Sequence, residues 1–167
     1  LLTLAAASNL IDVYGSATSW ALAAIPATII GSLVALAGTV PALRLWWQML
    51  FMAVAQLVVG PVLFLNDTTI AHIVPTLRTL TQGWMNMLGS FKFILSVEPP
   101  TGTADGCLLA VWTICLWFAL LTGIFAVTED GRFTMIAIIP VIANLAICAL
   151  LGSSSGYYRM FVGTIMA

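Results

Sequence analysis

The side chains able to do chemistry are few and poorly grouped. His72 is the single histidine, and Cys107, Cys115 and Cys148 are the three cysteines, in a chain of 167 residues. A nucleophilic cysteine needs a base within hydrogen-bond reach and a third group to orient that base. Cys107 shares a loop boundary with His72, so a Cys–His pair can be drawn, but no orienting acid or oxyanion-hole motif accompanies it. Asp67, Glu98 and Asp105 could gather as a carboxylate cluster. Each reads more simply as a solvated loop charge or turn residue, and His72 as a polar residue at a water interface. No cysteine stands in a CxxC pair, so neither a metal cluster nor a disulfide framework is expected. Small apolar filler is the simpler role for the thiols. Asn66-Asp67-Thr68 fits the N-x-T acceptor pattern, and helix or turn capping explains it equally well. GxGxxG, Walker and HExxH patterns do not occur, so catalytic residues, cofactor and metal are all expected to be none.

The elements that would have to position these groups are read from where charge is missing. Residues 20–43, 45–65, 107–128 and 133–155 contain no Asp, Glu, Lys, Arg or His. Each stretch matches the roughly 20 apolar residues that cross a bilayer's hydrocarbon core. Composition agrees: 62% of residues are hydrophobic and 7% charged, against about 25% charged in a soluble domain. The expectation is an all-α, polytopic transmembrane bundle forming one membrane domain. With a net charge of −1 and no basic patch, nucleic-acid binding has no electrostatic footing. The lipid bilayer is the expected partner.

Spans are expected at about 19–39, 45–65, 107–127 and 133–151. Residues 1–11 are apolar but too short to cross and read as the tail of an earlier span. Residues 157–167 open another that is not completed, so the chain reads as part of a longer protein. In the 19–39 span Ala23, Ala27, Gly31 and Ala35 recur every fourth residue and share a helix face. Small residues there let a second backbone approach closely. Pro26 is expected to bend this span, and Gly60-Pro61 to kink the next. Gln48, Gln56 and Asn144 carry amides that should point at neighbouring helices rather than lipid.

Residues 66–106 hold more ionisable groups than all the spans together. Within them Ile73, Leu77, Leu80, Trp84, Met87, Phe91 and Leu95 recur at three- and four-residue steps, with Arg78, Gln82, Asn86, Gly89 and Ser96 roughly opposite. The pattern predicts an amphipathic helix over about 75–96, lying flat in the membrane interface, with a core-facing helix of a soluble lid as the alternative. Arg44 and Arg132 sit in short loops on one side, which the bias of basic loops makes cytoplasmic. That places 66–106 outside.

The run from Gly83-Trp84 through Leu95 and Glu98-Pro99-Pro100, then Leu108, Trp112, Trp117, Ala119 and Pro140, resembles the N-terminal membrane domain of bacterial transglutaminase-like membrane proteins, especially actinobacterial ones. Trp84, Pro99 and Pro100 carry the most characteristic part of the likeness. The resemblance implies a bacterial plasma-membrane, cell-envelope protein. It also implies a following extracytoplasmic domain with a Cys-His-Asp triad, then a further helix and a cytoplasmic tail. None of that triad maps onto this chain, and Cys107, Cys115 and Cys148 are not its nucleophile. The family's turn after the fourth span is strongly basic, whereas Thr128-Glu129-Asp130-Gly131-Arg132 keeps one Arg.

The leading expectation is therefore a non-catalytic anchoring domain that tethers, and with segment 73–96 orients, a transglutaminase-like thiol enzyme. The rest of its own chain would be its second partner. The alternative is a transporter or permease subunit with a polar path lined by Gln48, Gln56 and Asn144. A purely structural assembly subunit, lacking a fused enzyme, is a third reading.

Overall fold

A segment surrounded by hydrocarbon must satisfy its own backbone N–H and C=O groups, and the α-helix does so without a neighbour. The computed structural model describes residues 1–40, 45–65, 76–96, 107–127 and 136–151, and these are almost entirely helical, with no strand among them. The N-terminal rod comprises α1 (Leu2–Ala7), a 3₁₀ turn (Ser8–Leu10) and α2 (Ile11–Tyr14). Gly15 ends it at φ 67°, a left-handed conformation that costs glycine little. Ser16 then caps α3 (Ala17–Ala37), its hydroxyl accepting from the Ser19 N–H at 3.3 Å.

The next rod has three parts: α4 (Leu45–Val54), a π-helical turn (Ala55–Val59) and α5 (Gly60–Phe64). The π turn has a local cause. Pro61 has no N–H, and in a regular helix its ring would meet the carbonyl four residues back. The widened turn, in which the Gly60 N–H reaches the Ala55 carbonyl, displaces that carbonyl. Three helices follow: α6 (Leu77–Ser96), α7 (Leu108–Val127) and α8 (Ile138–Leu151).

Ala17–Ala37, Trp46–Phe64 and Leu108–Val127 are each long and apolar enough to cross a membrane. The chain is a membrane protein with transmembrane helices, and its class is all-α. Leu2–Tyr14 and Ile138–Leu151 are apolar but shorter. Of the expected 133–151 span, residues 133–135 lie outside the described residues. So do all of 157–167, Arg44, Asp67, His72, Glu98, Pro99, Pro100, Asp105 and Arg132. Pro26 lies within an α3 that runs on past it.

Packing confirms which medium the helices meet. Helix α3 buries Ala23, Ala24, Ala27, Thr28, Gly31 and Ala35, and exposes Leu22, Ile25, Ile29, Leu33 and Leu36. Water would reverse that arrangement; lipid favours it, because close backbone approach and not apolar burial drives association there. The face meets α7, the most extensive helix pair among the described residues. Gly31 lies against the Leu116 carbonyl, Ala119 and Leu120, and Ala35 against Gly123, so the two helices run parallel. The α4–α5 rod runs antiparallel to both: the Gln48 amide bonds the Val34 carbonyl of α3, and Gly60 sits on Trp112 and Leu109 of α7. Trp112 is fully buried there, edge-on to Phe64 at 5.8 Å between ring centroids.

Candidate functional site

The polar groups inside this bundle are the candidate functional site, because an amide or hydroxyl among apolar helices is costly unless it is bonded. They form separate seams.

The first joins the N-terminal rod to α8. Asn144 is fully buried, its amide donating to the Thr3 carbonyl at 3.1 Å while its Oδ1 accepts from the Cys148 thiol at 3.3 Å. Asn9, also fully buried, donates to the Cys148 carbonyl at 3.0 Å. The two bonds advance together along both elements, which makes the N-terminal rod and α8 parallel. The rod is tied twice more: the Tyr14 hydroxyl donates to the Cys107 carbonyl and the Trp20 indole to the Ala7 carbonyl, each at 3.0 Å.

The second seam surrounds the π turn. Gln56 donates to the Thr113 hydroxyl at 2.8 Å and to the Met87 sulfur at 3.1 Å, bridging α7 and α6. The Thr113 hydroxyl in turn donates to the Leu109 carbonyl at 2.7 Å. The Gln56 Oε1 and the Trp112 Nε1 are buried without a hydrogen-bond partner. The third seam is smaller: Gln48 donates to the Val34 carbonyl at 3.3 Å, lying so close over Gly38 that a Cβ there would overlap its amide.

The residues singled out from the sequence are thus distributed as follows. Ala23, Ala27, Gly31 and Ala35 line the α3–α7 contact. Gln48, Gln56 and Asn144 are all buried, but they bond three different sets of helices and share no bonding group. On α6 the expected apolar face divides: Leu80, Met87 and Phe91 are half-buried, whereas Leu77, Trp84 and Leu95 are exposed. The side that meets the bundle is Thr79, Gly83, Ser90 and Ile94. Small and polar residues therefore do much of the packing beside Ile94, which apolar periodicity does not register. Asn9, Tyr14 and Trp20 are further contributors that the sequence reading did not select. An amide in the middle of an apolar N-terminal run was the available signal for Asn9.

Chemically, these seams hold neutral donors and acceptors. Cys107, Cys115 and Cys148 are buried, and none of them is in a disulfide among the described residues. Among the described residues no group of three or more His, Cys, Asp or Glu side chains is placed to hold a metal ion. What the arrangement does is pin one helix to another, through a side chain and either a backbone carbonyl or, at Gln56, a hydroxyl and a sulfur. No protein-family model, curated protein or solved structure matches the chain.

Proposed function

We propose that this chain is a non-catalytic membrane-anchoring domain, a preassembled helical platform in a bacterial plasma membrane. The observation that carries the reading is the use made of the amides. Gln48, Gln56 and Asn144 each donate to a neighbouring helix or its side chains, so their hydrogen bonds are committed to assembly. A polar transport path would instead need such groups turned to one shared route. For the attached cargo we propose an extracytoplasmic transglutaminase-like thiol enzyme, supported by the order of motifs from Gly83-Trp84 to Pro140. In this arrangement the end of the bundle at Tyr14, Leu65 and Cys107 faces outward.

Two measurements test the proposal. A reporter domain fused after Ala167 should stay with membranes through alkaline carbonate extraction, and proteoliposomes of the chain should show no solute flux. Flux that is abolished by Gln56→Leu would replace the anchor with the transporter reading. The cargo assignment is checked on the full-length protein: a polar domain in which a single Cys→Ala change abolishes acyl transfer supports it, and the absence of such a domain removes it.

A further inference from the structure

The seam around the π turn does not close on its own groups. Gln56 is 7% exposed and Trp112 is fully buried, yet the Gln56 Oε1 and the Trp112 Nε1 each lack a hydrogen-bond partner. A third group joins them. In a regular helix the Gln56 carbonyl would accept from the Gly60 N–H, which here goes to the Ala55 carbonyl instead. In a π-helical turn it would accept from residue 61, and Pro61 has no N–H. No helical donor therefore reaches it. Nearly all buried polar groups in native proteins are bonded, either to protein or to ordered water.

The three groups lie around one residue. A Cβ added to Gly60 would meet the Trp112 Nε1 first, so the indole N–H lies against the Gly60 backbone. Helix carbonyls point toward the C-terminal end, which directs that of Gln56 at the same turn. Gln56 precedes Gly60 by about one turn, on the face of the rod that meets α7. Its side chain is anchored there by the 2.8 Å bond to Thr113, the residue after Trp112. Gly60 and Pro61 are themselves buried, so this turn faces protein.

The chemistry of the three groups selects the occupant. An anion suits the indole N–H but not two oxygens. A cation suits the oxygens but not the N–H, and a charge of either sign is costly inside a membrane. A neutral hydroxyl both accepts from the N–H and donates to an oxygen, and water, with two hydrogens, serves both oxygens at once. We propose that the π turn binds one internal water molecule. It accepts from the Trp112 Nε1 and donates to the Gln56 Oε1 and to the Gln56 main-chain carbonyl. Buried waters usually make about three hydrogen bonds, which is the number offered. The water completes the seam between the α4–α5 rod and α7, and supplies the bond that Pro61 withholds. The site does not depend on the anchoring role.

The test is nuclear magnetic resonance of the full chain in micelles, isotopically labelled at its tryptophan indole nitrogens. Trp112 is assigned as the indole signal lost in Trp112→Phe. If that variant does not fold, changing the other five tryptophans to Phe leaves Trp112 as the sole signal. The Trp112 indole proton is expected downfield, as a hydrogen-bonded N–H is, with a cross-relaxation peak to water of the sign of direct transfer. A downfield signal without that peak means that a protein carbonyl takes the proton, and would overturn the proposal. An upfield, unbonded signal would do the same. Thr113→Val removes the hydroxyl that bonds Gln56, and the water peak is expected to survive it. A peak that disappears was relayed by exchange through that hydroxyl, which also overturns the site.

Discussion

Two seams of this molecule solve one problem in opposite ways. Between α3 and α7 the contact is close and made chiefly by what is missing: at Gly31 the Leu116 carbonyl occupies the place where a side chain would begin. Between the N-terminal rod and α8 the contact is made by added groups, Asn9 and Asn144, each reaching a carbonyl on the facing element. Lipid supplies no hydrophobic force between helices, so adhesion comes either from close dispersion contact or from hydrogen bonds. The first kind tolerates no added atom. The second tolerates a change of shape but not the loss of a donor.

The largest effect should follow Gly31→Leu. A leucine there has no room against the α7 backbone, and a loss of about 3 kcal/mol or more is expected. It would be read as a lower midpoint when the protein in mixed micelles is titrated with a denaturing detergent. Gly123→Ala should cost less, about 2 kcal/mol, because its new methyl meets only the Ala35 methyl. Adding Ala35→Gly to that variant should recover much of the loss, since the methyl has only changed sides. If the double variant is no better than the single one, the two residues are not coupled and the α3–α7 contact is misdescribed.

Asn144→Leu probes the other seam. It removes the bond to the Thr3 carbonyl and the acceptor of the Cys148 thiol. Interhelical hydrogen bonds in membranes are worth about 0.6–2 kcal/mol, and a cost in that range is expected in the same titration. No loss at all would reduce the seam to coincidental contact. The smallest effect is at Gly89, outside both seams. With open space around its added methyl, Gly89→Ala should stabilise α6 by about 0.5–1 kcal/mol through helix propensity alone.

The comparison also explains how much could be read before any coordinates. The spans expected at 19–39, 45–65 and 107–127 were legible because charge is excluded from hydrocarbon, and the gaps between charges mark them directly. The four-residue spacing of Ala23, Ala27, Gly31 and Ala35 marks one face of a helix. Nothing in that spacing says that the helix opposite is α7, because identity of the facing element is a non-local property. The π turn was hidden for a related reason: Gly60-Pro61 signals a disturbance, whereas its form depends on how the preceding turn relaxes. On α6 the apolar period left the packing side unread. Thr79, Gly83 and Ser90 are small or polar, and they stand out only once Pro61 and Gln56 are known to lie beside them.

The parallel pairing of α3 with α7 has a consequence for biosynthesis. Two neighbouring helices in the same sense cannot be consecutive hairpin arms, so Gly31 and the carbonyl it meets are about 85 residues apart along the chain. At ~5–20 residues per second a ribosome needs roughly 4–17 s to deliver the second after the first. Throughout that interval the newly released α3 carries its glycine–alanine groove without its final mate. Fidelity of insertion then depends on what the translocon or a temporary helper keeps out of that groove until synthesis catches up.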